Sequence, residues 1–283
     1  MNKTKKFFKP LNCHPSINKN KTRKNKFCLK NKSLLQTLKK KYNYRHPDIK
    51  IKSSNPEKIH KDLTKNLSHI CYEEKCWIKN LFKTNEQKII DKYFAPKHPK
   101  KWLKKERSWL DSLDIARVMN QYEETYDNFR FLGPSPIDYN KIKHNMCIYP
   151  EICNLDLTKM RQKKIDKIGV VFNTDYHYEP GSHWICVFID LKKNIFFLFD
   201  SSGEEKLPEI EEFYQQLKKT NHKLKYKSNE NFPHQRNNGE CGIYCLYVLT
   251  KLLKGEITIN SLKKKRIDDI EMSKYRKLFY NPI

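Results

Sequence analysis

The chain is 283 residues long, 37% hydrophobic and 32% charged, with a formal net charge of +26. Its mean hydropathy is −0.88, and no stretch approaches the roughly 18 apolar residues of a membrane span, which excludes a membrane-embedded class. The basic N-terminus lacks the apolar run of a secretion signal, and nine cysteines at irregular spacing do not read as a disulfide framework, so free thiols in a reduced intracellular compartment are expected.

Charge is unevenly spread. Residues 1–60 hold 18 Lys and Arg against two acids, Asp48 and Glu57. They read as a basic, largely disordered arm in which only Ser33 to Lys41 has the pattern of a short helix. Such an arm binds polyanions through phosphate contacts and counterion release, which makes DNA or RNA a candidate partner. Lys, Asn and Ile are abundant throughout, a pattern that fits an AT-rich coding genome and explains part of the lysine excess without any function.

Apolar residues begin to cluster near Lys61. His69, Cys71 and Cys76 are metal-ligand types, but the Cys-x4-Cys spacing is loose and no second pair follows at finger spacing, so packing beside Trp77 and Leu81 is expected instead. Residues 85–94 predict a helix that stops at AlaProLysHisPro, and 102–126 predict a second, with Trp109, Leu113, Ala116 and Met119 near one face. GlyProSerPro, 133–136, predicts a turn. Residues 61–140 thus form a helical part, and 141–283 a core of different period.

In that core, 169–173, 183–190 and 194–200 read as buried strands, the last two joined by the polar turn LysLysAsn. A helix from Pro208 to Lys219, an edge strand at 223–227 and a last helix from Asp268 to Tyr280 complete an α+β pattern. Between them lies GlnArgAsnAsnGlyGluCysGly, 235–242, followed by Ile243, Leu246, Tyr247, Leu249, Leu252 and Leu253 at helical spacing. Cys241 therefore falls at a helix N-terminus, where free N–H groups and the helix dipole favour a thiolate. Cys245, one turn on, reads as core.

A cysteine nucleophile needs a base, and the base needs an orienting partner. His183 begins one predicted strand and Asp200 ends the next, so a hairpin sets them side by side as cross-strand neighbours. Gln235, six residues before Cys241, carries an amide that can donate to an oxyanion, with the Cys241 N–H as a second donor.

These residues resemble a known family. GlySerHisTrp at 181–184, PheAspSer at 199–201 and GlnArgAsnAsnGlyGluCysGly at 235–242 are similar to the ubiquitin-like-protein-specific cysteine proteases, the clan of the SUMO proteases and adenain. PheAlaProLysHisProLysLysTrp, 94–102, and GlyProSerProIleAspTyr, 133–139, resemble the maturation proteases of nucleocytoplasmic large DNA viruses of the mimivirus and African swine fever virus type. The likeness spans residues 70 to 283 and leaves the arm uncovered. It implies a papain-like core with a central mixed sheet flanked by helices. It further implies His183 as general base, Asp200 as its orienter, Cys241 as nucleophile and Gln235 as oxyanion donor, with no metal or other cofactor. TrpLeuAspSerLeuAspIle, 109–115, looks like the family's tunnel motif, with Ser112 at its second acidic position and Asp111 one place earlier. Trp109 and Trp184 match the residues that wall a Gly-Gly stem, where a side chain would clash with the indoles. The implied function is a thiol endopeptidase that cuts after Gly-Gly in viral structural precursors, in the virion and in cytoplasmic viral factories. The alternatives are a deSUMOylating or deubiquitinating isopeptidase, and a non-catalytic, basic nucleic-acid-binding virion protein.

Overall fold

The structure, a computed structural model, describes residues 8–19 and 27–283. It divides into two compact units, one of residues up to Lys97 together with Phe279–Pro282, the other of His98–Leu278 with Ile283. Among the described residues no helix is long and apolar enough to cross a membrane.

The first unit holds α1 (Lys32–Arg45), α2 (Pro56–Asn66), α3 (Glu74–Leu81) and α4 (Glu86–Tyr93). In α1, Leu35, Leu38 and Tyr42 lie at i, i+3 and i+7 and are buried in one cluster with Ile59, Leu63, Trp77, Ile78 and Leu81. The buried Glu74 carboxylate joins the unit's start to its helices, accepting the Cys28 and Leu29 amides at 2.8 and 2.9 Å and meeting His60 Nε2 at 2.8 Å. The expectation of a disordered arm over residues 1–60 is therefore corrected for 8–19 and 27–60; residues 1–7 and 20–26 lie outside the described residues. The average composition hid a narrow apolar stripe. A helix with three buried side chains can leave every lysine on its other face. The unit also continues to Lys97, past the expected boundary at 60.

The cysteine reading is corrected too. Cys13–Cys28, Cys71–Cys76 and Cys147–Cys153 are disulfides, with Cα atoms 5.1, 5.4 and 6.3 Å apart, separations a disulfide spans. Cys71 and Cys76, considered above as zinc ligands, bond to each other. Cys186, Cys241 and Cys245 are free and buried.

The second unit opens with α5 (Ser112–Thr125), β1 (Phe129–Pro136), the small hairpin β2 (Ile142–Lys143) and β3 (Met146–Cys147), and the short helices α6 (Pro150–Cys153) and α7 (Leu157–Gln162). Then come β4 (Lys167–Asn173), β5 (Trp184–Asp190), β6 (Ile195–Phe199), α8 (Pro208–Thr220), β7 (Lys225–Ser228), α9 (Cys241–Lys254), α10 (Ile259–Leu262) and α11 (Asp269–Phe279). The five-stranded sheet has the order β1-β4-β5-β6-β7. Its outer pairs are parallel and its inner pairs antiparallel, which makes it mixed. Every residue of β5 is buried, as expected of a central strand. Ile185, Val187 and Ile189 share a cluster with Ile210, Phe213 and Leu217 of α8, while Cys186 of the opposite face hydrogen-bonds Cys245 of α9.

Two expectations differ here. The predicted helix over 102–126 begins only at Ser112, because the Asp111 carboxylate accepts the Asp114 amide at 2.8 Å and Asp114 accepts the Asp111 amide at 3.1 Å. This reciprocal cap leaves Trp109 outside the helix. GlyProSerPro is not a free turn but the irregular part of β1, where the register with β4 shifts between Leu132 and Ser135. A proline is tolerated there because β1 is an edge strand. The outward amides of that edge are occupied: Phe129 N–H donates to the Tyr126 carbonyl at 2.9 Å, Phe131 N–H to Glu123 Oε2 at 2.9 Å, and Gly133 N–H to the Tyr149 hydroxyl at 3.1 Å.

Candidate active site

Cys241 is the first residue of α9, as its sequence predicts. Gly239 makes the approach possible: its φ is +108°, and a Cβ there would lie 2.7 Å from the Arg107 carbonyl oxygen. That contact pins the loop to the segment bearing Trp109, whose ring lies beside Gly239. On the helix side, Gly242 faces Leu110 and the Trp184 ring, and Trp184 Nε1 donates to the Leu110 carbonyl at 3.0 Å. Trp184 is buried, whereas Trp109 is 41% exposed. The two indoles, one before α5 and one at the head of β5, thus lie beside the two glycines around Cys241 and are linked through Leu110.

His183 immediately precedes β5 and its Nε2 meets Asp200 Oδ1 at 2.6 Å. The register differs from the expected direct pairing. Cys186 pairs with Phe199, so Asp200 falls opposite Ile185 and His183 is its diagonal neighbour on the same face, still within reach of an imidazole. Cys241 hydrogen-bonds the same imidazole. Burial alone would lower the His183 pKa, but hydrogen bonds to Asp200 and Cys241, with the charges of both, outweigh it and raise it to about 10. The imidazole is therefore held as a cation at neutral pH. Asp200 is fixed in turn: its carboxylate accepts the Ser202 amide at 2.8 Å, and its backbone N–H and C=O bond the Asn229 side chain at 2.9 and 2.6 Å.

Gln235 lies on the loop before Cys241. Its Oε1 accepts the Ser201 hydroxyl at 2.9 Å and its Nε2 donates to the Asn237 carbonyl at 2.7 Å. Cys245 is core, as expected: burial pushes its thiol pKa well up, and Cys186 is its hydrogen-bond partner.

Sequence reading missed the residues of α11 that hold this loop. Arg276 donates from Nε to Glu240 Oε2 at 2.8 Å, and from its two terminal nitrogens to the Gly239 and Ser108 carbonyls at 2.5 and 2.9 Å, over the Trp102 ring. Asp269 accepts the Arg236 and Asn237 amides at 3.1 and 3.0 Å and the Tyr244 hydroxyl at 2.9 Å. No local signal marks either residue, since each is an ordinary charge in an amphipathic helix.

A family model described as the Ulp1 protease family, C-terminal catalytic domain, matches residues 154–282, the span that contains His183, Asp200, Gln235 and Cys241. Residues 154–282 belong to the Ulp1 protease family. Among its relatives, the Acanthamoeba polyphaga mimivirus protein R355, which carries a thiol-protease name, is 30% identical over 210 residues, covering 70% of this chain and 66% of that protein. The African swine fever virus cysteine protease S273R is 31% identical over 124 residues, 42% of this chain and 45% of the relative. The crystal structure of the African swine fever virus pS273R protease shares the fold, with a TM-score of 0.66 over 97% of each chain at 21% identity. Residues 154–282 are thus a cysteine-protease catalytic domain of the Ulp1 family, and the mixed sheet flanked by helices is that of the family. The TrpLeuAspSer segment, likened above to a tunnel motif, lies before that span and supplies Trp109 and the Asp111 cap.

Proposed function

We propose that this chain is a thiol endopeptidase that cuts after Gly-Gly in structural precursors of a large DNA virus during particle maturation, in the virion and in cytoplasmic viral factories. The observation that carries the reading is the His183 imidazole bonded to Asp200 on one side and to Cys241, at the head of α9, on the other. In this reading the Cys241 thiolate attacks the glycyl carbonyl and a C–S bond forms. The Gln235 amide and the Cys241 N–H hold the oxyanion. Collapse breaks the C–N bond as His183 gives its proton to the leaving amine. A water deprotonated by His183 then attacks the thioester, and C–S cleavage returns the thiolate. Trp109 and Trp184 beside Gly239 and Gly242 support a narrow channel that admits glycine.

Covalent trapping tests this. A peptide ending in Gly-Gly and an electrophilic warhead is expected to give one adduct, on Cys241, that disappears in Cys241→Ala. Labelling scattered over other cysteines, or equal labelling by a warhead peptide ending in Ala-Ala, would overturn the Gly-Gly reading.

Nucleic acid is the proposed partner of the N-terminal unit. The support is α1, which carries Lys32, Lys39, Lys40, Lys41 and Arg45 and no acid, with Tyr44 89% exposed one turn beyond Lys40. Lysines track phosphates and an open ring stacks on bases. Changing Lys32, Lys40 and Lys41 together to Gln is expected to flatten the dependence of log K on log salt for a 20-nucleotide single strand by about 2. Anisotropy titrations that give the wild-type slope would refute the assignment. Removing residues 1–60 is the wrong test, because it strips Leu35, Leu38, Tyr42, Ile51 and Ile59 from a packed core.

A further inference from the structure

Two loops meet beneath the candidate oxyanion site, and one hydroxyl joins them. The first is the turn after β6, Asp200 to Gly203; the second runs from Asn229 to Gln235. They approach so closely that a Cβ on Gly203 would lie 2.7 Å from the Pro233 nitrogen. The Ser201 carbonyl accepts both the His234 and Gln235 amides, each at 2.8 Å. Ser201 is 1% exposed, and its hydroxyl donates to Gln235 Oε1 at 2.9 Å.

We propose that Ser201 is a positioning residue that fixes the face of the Gln235 amide, and so aims its free N–H at the developing oxyanion. The inference rests on the reading of Gln235 as an oxyanion donor. A primary amide has one acceptor oxygen and a nitrogen with two hydrogens. The Ser201 hydroxyl takes the oxygen. The Asn237 carbonyl, which only accepts, takes one hydrogen of Nε2 at 2.7 Å. The second hydrogen of Nε2 is then the one left for a reacting carbonyl. With both anchors in place the amide can neither flip nor swing. Without Ser201 it turns about its last torsion, and the donor spends less time aimed. Ser201 follows Asp200 directly, so one turn orients the base partner through its carboxylate and the oxyanion donor through its hydroxyl.

The test compares Ser201→Ala, Gln235→Ala and the double variant on a Gly-Gly-aminocoumarin peptide, with iodoacetamide alkylation of Cys241 alongside. Alkylation forms the S–C bond by displacing iodide and passes through no oxyanion, so it reports the thiolate alone. A lost neutral hydrogen bond corresponds to a drop in kcat of about threefold to tenfold, with KM unchanged. Ser201→Ala should show that drop and alkylate at the wild-type rate. In the Gln235→Ala background the Ser201→Ala loss should vanish. Ser201→Thr, which keeps the hydroxyl, should recover most of kcat. A Ser201→Ala loss that persists without Gln235, or a matching fall in alkylation, would overturn the proposal and assign Ser201 to Asp200 instead. Equal losses in Ser201→Ala and Ser201→Thr would also overturn it. If Gln235→Ala retains wild-type kcat, the oxyanion reading of Gln235 itself fails, and this one with it.

Discussion

Arg276→Ala is expected to cost about 3–5 kcal/mol of stability, the range for removing one partner of a buried ion pair. Arg276 and Glu240 side chains are only 3% and 2% exposed. Without the guanidinium, a buried carboxylate loses its counter-charge while its Oε1 already has no hydrogen-bond partner. The Gly239 and Ser108 carbonyls lose their donor at the same time. Turnover should fall with stability, because the loop being released is the one that delivers Cys241. Arg276→Lys should rescue little, since a single ammonium cannot serve three acceptors in a plane. Urea denaturation of both variants checks this; a loss below about 1 kcal/mol would show that the cluster is dispensable. Arg276→Met combined with Glu240→Gln should be more stable than Arg276→Met alone, because the orphaned charge is gone.

The second large effect is on chemistry. His183→Ala should lower kcat by at least about 10²-fold, the usual contribution of a positioned acid–base group. The pH dependence is more informative. The His183 pKa is raised to about 10, so the proton that must reach the leaving amine is present across neutral pH and lost only in alkali. The alkaline limb of kcat should therefore lie near pH 10 rather than near the ordinary histidine value. Asp200→Asn keeps an acceptor oxygen but removes a charge, and should move that limb down. Stability follows the same sign. A folded-state pKa above the unfolded one stabilises the fold fully below the ordinary histidine value, and that contribution fades as pH rises toward 10. A limb near pH 6.5 in the wild type, or one that Asp200→Asn leaves unmoved, would refute the ion-pair account.

The parts of the site that were legible in the sequence are those set by local chemistry. The apolar runs of β5 and β6, the polar turn between them and the switch from glycine-rich loop to apolar helix at Cys241 each depend on neighbours in the chain. The register was less legible. Counting from the turn put His183 opposite Asp200, whereas the pairing of Asp190 with Ile195 makes them diagonal neighbours. Asn229, Asp269 and Arg276 were not legible at all, since they matter only once the chain has returned to the site from a distant segment. The N-terminal unit was misread for another reason. Charge density over 60 residues says what the solvent face carries, and it is silent on two leucines and a tyrosine aligned along one helix.

The closed edge of β1 bears on how this protein behaves among other chains. A strand with open amides is a template on which neighbouring polypeptides can polymerise. Here Tyr126, Glu123 and Tyr149 occupy those amides, so at high protein concentration that side of the sheet will not recruit extended segments. An unfolded substrate passing along it finds those amides already taken.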